Sequence, residues 1–106
     1  KECALAKRYI DSNYSQNITL DSLAEITHIN KFYLAHSFTE CVGQSPINYL
    51  TDRRLEACKE LLVSSNLSVA QVATSVGFSS QSYFSQIFRK KTGMTPRQYR
   101  RRYARK

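Results

Sequence analysis

Two stretches of this chain carry nearly the same pattern, about half its length apart. Thr19-Leu20-Asp21-Ser22-Leu23-Ala24 matches Ser68-Val69-Ala70-Gln71-Val72-Ala73 at an offset of 49. Tyr33-Leu34, Phe38, Gly43, Pro46 and Tyr49 match Tyr83-Phe84, Phe88, Gly93, Pro96 and Tyr99 at an offset of 50. The extra residue falls in a turn, between Ile26 and Asn30 in one copy and between Ser75 and Ser80 in the other. A repeat whose single insertion lies in a loop means two copies of one supersecondary unit. Whatever one copy folds into, the other does too, and 106 residues leave room for little more than both and a connection.

Between its few glycines and prolines the chain spaces apolar residues by three and four, the period of a helix. We therefore expect an all-α protein of about seven helices. Leu5, Tyr9 and Ile10 share a face of the first. Thr19 or Asp21 caps a short second helix carrying Leu20, Leu23 and Ala24. Asn30 caps the third, with Tyr33, Leu34, Ser37 and Phe38 inward and Gly43 at its end. Ser45-Pro46 opens a long helix to about Val63, with Ile47, Leu50, Leu55, Cys58, Leu61 and Leu62 on its apolar side. Ser68 caps a short helix with Val69, Val72, Ala73 and Val76. Gly77 and a Ser79-Ser80 cap lead to a helix with Tyr83, Phe84, Ile87 and Phe88, closed by Gly93. Thr95-Pro96 opens a last, basic helix. The expected division is a first subdomain over 1–45, a linking helix over 46–64 and a second subdomain over 65–106.

Charge is unevenly shared along this frame. Residues 1–50 hold four bases and five acids, whereas 51–106 hold twelve bases and three acids. Nine of the bases lie between Arg89 and Lys106 with no acid among them. A one-sided basic surface points to a polyanion, with nucleic acid ahead of an anionic membrane. No apolar run reaches the roughly 20 residues of a membrane helix. A membrane-surface role would want a long basic amphipathic helix, and RNA recognition would want exposed aromatics on a sheet or loop. Cys3, Cys41 and Cys58 are odd in number and widely spaced, and His28 and His36 have no cysteine at zinc-finger spacing. Free thiols in a reducing cytoplasm, no metal and no cofactor are expected. Nothing resembles a Ser/His/acid or Cys/His arrangement or a glycine-rich phosphate loop, so catalysis is not expected. The opening Lys1-Glu2-Cys3 lacks an initiator Met, which suggests a piece of a longer protein.

A short helix, a turn and a second helix is the layout of a helix-turn-helix, whose second helix enters the major groove. Ala24 and Ala73 are the small residues where the two helices cross. Gly77 supplies a sharply bending residue in the second copy; in the first that place falls near Thr27-His28. The run from Val72 to Arg100, with Gly77-Phe78-Ser79-Ser80, Tyr83-Phe84-Ser85-Gln86-Ile87-Phe88-Arg89-Lys90-Lys91, Gly93, Thr95-Pro96 and Tyr99-Arg100, resembles the signature of the AraC/XylS family of bacterial transcription regulators. Arg54-Leu55, Ala57 and Leu61-Leu62 resemble the joining helix of that pattern. The resemblance covers about residues 3–103. It implies two helix-turn-helix units on a linking helix in a cytoplasmic regulator of double-stranded DNA. It also implies RNA polymerase as a partner and a separate effector or dimerisation domain outside this chain.

The resemblance carries the groove positions onto Phe32, Ala35 and His36, with Lys31 beside them, and onto Gln81, Ser82, Ser85 and Gln86. Phe32 can meet a thymine methyl and His36 can donate to guanine or to a phosphate, unless the one packs on the first helix and the other is merely solvated. A Gln amide can pair with adenine in bidentate fashion, a contact worth about 1–3 kcal/mol of discrimination. Where Gln86 stands the family often carries Arg, so a guanine preference is not implied there. Phosphate contacts are expected from Asn30, Ser80, Arg89, Lys90, Lys91, Arg97 and Arg100, with Arg89 and Arg97 foremost; Arg101, Arg102, Arg105 and Lys106 add diffuse attraction. A linking helix of about 16 residues spans about 24 Å. Recognition helices about 34 Å apart would then read two adjacent major-groove segments of one site.

Overall fold

The computed structural model describes residues 2–104. Among them there are seven helices and no strand: α1 Glu2–Asn13, α2 Leu20–Thr27, α3 Lys31–Val42, α4 Pro46–Ser64, α5 Val69–Ser75, α6 Gln81–Thr92 and α7 Pro96–Tyr103. Their ends lie where short polar side chains can take up the unpaired amides of a first turn. Thr19 caps α2 in a reciprocal box with Ser22, Ser68 caps α5 with Gln71, and Thr95 caps α7 with Gln98. Gly43 and Gly93 close α3 and α6 in the left-handed conformation.

The chain divides into two compact units, residues 1–53 and 54–106. The boundary falls inside α4. Each unit is therefore a helix, a helix-turn-helix and a closing helix. In the first these are α1, α2–α3 and the start of α4; in the second they are the end of α4, α5–α6 and α7.

The first unit buries Ala6, Ile10, Ile18, Leu23, Leu34, Phe38 and Leu50 together. The second buries Leu55, Cys58, Leu62, Val72, Ala73, Val76, Phe78, Phe84 and Phe88. Equivalent ring contacts mark the repeat: Phe38 meets Tyr49 edge-on at 5.8 Å, and Phe88 meets Tyr99 edge-on at 5.5 Å. Burial along α3 and α6 also matches position by position except at Lys31 and Gln81.

Four expected core residues turn out to be surface. Leu5 is exposed and Ala6 takes the buried place, because Ala6 and Ile10 lie four apart on the face that meets the core. Tyr33 and Tyr83 are 55% and 51% exposed, one residue off the Leu34/Phe38 and Phe84/Phe88 faces. Ile47 is exposed for the same reason, since Pro46 and Leu50 occupy the inward positions of that turn.

The two turns show where the repeat changes register. The amide of Ile29 donates to the Ala24 carbonyl at 3.1 Å, and the amide of Phe78 to that of Ala73 at 3.0 Å. The residue before each has positive φ, 60° at His28 and 107° at Gly77. Asn30 and Ser80 then cap the following helices, so the inserted residue is Ser79.

Candidate nucleic-acid interface

A helix that packs by Leu34 and Phe38, or by Phe84 and Phe88, turns the residues about half a turn away outward. In α3 this outward face carries Phe32, His36 and Thr39, with Ala35 half-buried at its edge. Phe32 is 73% exposed, the most exposed large apolar side chain among the described residues, so most of its ring is open to solvent. Lys31 lies over its ring at 5.5 Å and also pairs with Asp21 at 2.9 Å. His36 faces Glu40 across one turn at 3.4 Å. In α6 the same face carries Ser82, Gln86 and Arg89, with Gln81 exposed and Ser85 half-buried beside them. The structure thus brings together Lys31, Phe32, Ala35 and His36 on one helix, and Gln81, Ser82, Ser85 and Gln86 on the other.

The caps hold the start of each helix. Asn30 Oδ1 accepts from the amides of Phe32 at 2.9 Å and Tyr33 at 3.2 Å. Ser80 Oγ accepts from the amide of Tyr83 at 3.1 Å. Capping uses the side-chain oxygens as acceptors, so the Asn30 amide and the Ser80 hydroxyl keep hydrogens that can be donated elsewhere. Tyr33 and Tyr83, missed as surface residues from the sequence alone, stand on the first turn of each recognition helix. Their place fifty residues apart was a visible signal, but their aromatic character read as core.

Electrostatically the units are opposites. Residues 1–53 hold five bases and six acids, whereas 54–106 hold eleven bases and two acids. The last acid in the chain is Glu60. Where α3 ends in Thr39-Glu40-Cys41, α6 ends in Arg89-Lys90-Lys91, all three exposed. Arg97 is exposed on the first turn of α7.

Arg100 is placed differently from the expected phosphate contact. Its Nε donates to the Leu62 carbonyl at 2.8 Å and a terminal nitrogen donates to that of Ser65 at 3.4 Å. A cation there satisfies the carbonyls at the end of α4 and opposes the negative end of the helix dipole. Arg100 therefore ties α7 to α4 within its unit. Arg105 and Lys106 lie outside the described residues.

In the first unit a polar clamp does the corresponding tying. Tyr49 Oη donates to Asp11 Oδ1 at 2.6 Å and Arg53 Nε to the same oxygen at 2.9 Å. Partial burial alone would raise the Asp11 pKa; the bonds from Tyr49 and Arg53, with Lys7 nearby, hold it below the usual carboxylate range instead. In the second unit Arg54 lies over the Phe78 ring at 5.6 Å, and burial draws its pKa down.

A model of a helix-turn-helix domain matches residues 23–102, most of the chain. The chain belongs to the AraC-type helix-turn-helix family, the DNA-binding domains of transcription regulators. It is 37% identical to the C-terminal domain of AraT, a response regulator from Geobacillus stearothermophilus, with a TM-score of 0.95 over 99% of this chain and 88% of that one. The helix-turn-helix regulator YobQ of Bacillus subtilis is 40% identical over 87% of this chain, which spans 38% of that protein. The bifunctional transcriptional activator and DNA repair enzyme AdaA of Bacillus subtilis is 34% identical over 91% of this chain and 46% of its own length. This chain therefore spans less than half of either curated relative. No helix among its described residues is long and apolar enough to cross a membrane.

Proposed function

We propose that the chain binds double-stranded DNA sequence-specifically, laying α3 into one segment of major groove and α6 into another. The observation that carries this reading is the repeated recognition surface. Both helices hold their inward face by the same two buried positions, and both turn outward the residues named above. Gln81 and Gln86 suit adenine edges, Ser82 and Ser85 suit either base or phosphate, and Phe32 suits a thymine methyl. His36 and Lys31 supply donors in the first unit, where Ala35 adds only an apolar contact.

Affinity comes chiefly from the second unit. Arg89, Lys90, Lys91 and Arg97 give phosphate contacts, and Asn30 and Ser80 position the starts of α3 and α6, where the helix dipole also favours an anion. Arg100 is left out of this set because it holds α4. The role of the chain is binding and not catalysis. Within a longer cytoplasmic regulator, RNA polymerase is the proposed protein partner and an effector or dimerisation domain the proposed source of control.

A salt titration against duplex DNA and duplex RNA tests the reading. Binding to DNA should weaken about linearly on logarithmic axes, with a slope set by about 0.9 per phosphate neutralised. Equal affinity for RNA would overturn it. A footprint on one selected site should show two protected groove segments, and protection confined to one would remove α3 from the interface.

A further inference from the structure

The two cysteines of the first unit play no part in DNA reading, yet the fold brings them together. Cys3 precedes Ala6 by three residues and Ile10 by seven, which puts it on the packed face of α1. Cys41 follows Leu34 by seven and Phe38 by three, which puts it in the last turn of α3 at the exposed end of the row that Leu34 and Phe38 begin. Ala6, Ile10, Leu34 and Phe38 are buried against one another, and Cys3 packs at the edge of that cluster. Helices α1 and α3 pack directly on each other, and the Cys3 side chain is near enough to Cys41 to act on its thiol. Both are free; Cys41 is exposed and Cys3 is half-buried.

We propose that Cys3 and Cys41 form a reversible thiol–disulfide pair that staples α1 to the last turn of α3. The oxidant is a small-molecule disulfide of the glutathione class. The Cys41 thiolate attacks one sulfur of that disulfide and releases one thiolate, leaving a mixed disulfide on Cys41. The Cys3 thiolate then attacks Cys41 Sγ and displaces the second. The pair loses two electrons and two protons; the small disulfide gains both and leaves as two thiols. Exposed Cys41 is the entry point and sheltered Cys3 the resolving thiol.

The contact with Cys3, then desolvation and the charge of Glu40, hold the Cys41 thiol above its ordinary range. Exchange should therefore be slow at neutral pH and quicken as pH rises. Cys58 stays out of the exchange, since burial pushes its thiol up to about 12. Closing a loop between residues 3 and 41 restricts the unfolded chain, so the oxidised form should melt higher.

Oxidised glutathione added to the 106-residue chain at about pH 8.5, where more thiolate is present, tests this. Peptide mapping should give a Cys3–Cys41 link, and Tm should rise by about 5 °C or more and fall back on reduction. Cys58→Ala should give the same Cys3–Cys41 link and a similar rise in Tm on oxidation. Cys3→Ser should instead retain a stable glutathione adduct on Cys41 with no such rise. A persistent adduct on Cys41 of the parent chain, or a Cys41–Cys41 dimer as main product, would overturn the proposal.

Discussion

The two units share one skeleton and fill it differently. Ile29 and Leu34 of the first unit become Phe78 and Phe84 in the second, so an aliphatic core becomes a run of rings. Phe78 to Phe84, Phe84 to Phe88, Phe88 to Tyr99 and Tyr99 to Tyr103 lie at 5.2, 5.6, 5.5 and 4.6 Å. The first unit has the Phe38–Tyr49 contact and adds the Asp11 clamp. Outside, Glu40 stands where the second unit has Lys90. The difference teaches that the repeat preserves what shapes a recognition helix, namely caps, turn and two inward positions. It leaves core chemistry and surface charge free to diverge, so one unit can specialise in grip.

The largest expected effect strikes the shared skeleton. Phe38→Ala and Phe88→Ala should each cost about 3–5 kcal/mol in urea denaturation, by transfer and cavity together. Equal costs would show the two cores to be equivalent; a larger cost at Phe88 would show that the ring run packs more tightly. Next comes charge. Replacing Arg89, Lys90 and Lys91 together by Ala should lower duplex affinity about 100-fold at 0.1 M salt and reduce the salt slope by about 2–3. Glu40→Lys, which copies the second unit into the first, should raise affinity about threefold to tenfold by the same term. Fluorescence anisotropy reads both, and no change in either would break the proposed division of grip.

The turns should respond in opposite directions. Gly77→Ala places a Cβ on a backbone with φ of 107° and should cost about 1–2 kcal/mol. His28→Gly relieves the same conformation and should gain up to about 1 kcal/mol by thermal melting. A smaller difference lies in acid. Because the Asp11 pKa is depressed in the folded chain, its contribution is complete above the usual carboxylate range and is lost as pH falls through the depressed value. Amide NMR signals of the first unit should weaken with acid below about pH 4, and Asp11→Asn should flatten that limb. The second unit, with only Glu56 and Glu60 as acids, should show a shallower response.

Much of this is legible in the sequence, because helix boundaries are written locally. Asn30, Ser68, Ser80 and Thr95 cap as their chemistry demands, and Phe38, Phe84 and Phe88 face inward as their spacing requires. What escaped were residues whose type and position disagree. Tyr33, Tyr83 and Ile47 look like core but stand one residue off the packed face. Arg100 reads as a phosphate contact, and nothing in its spacing foretells its bonds to carbonyls at the end of α4, more than thirty residues away in sequence. The register shift was visible only as a range, since spacing alone does not say which of two serines caps. The hydrogen bond from Phe78 to Ala73 resolves it to Ser79.

The claim that both units read bases meets its most direct test in selection of bound sites from random duplex DNA. The parent chain should be compared with Gln86→Ala and His36→Ala. Each variant should relax the preference at its own base pairs, in two separate segments of the selected site, with losses of about 1–3 kcal/mol at the affected position. Uniform weakening, with the selected sequence unchanged in both variants, would contradict it.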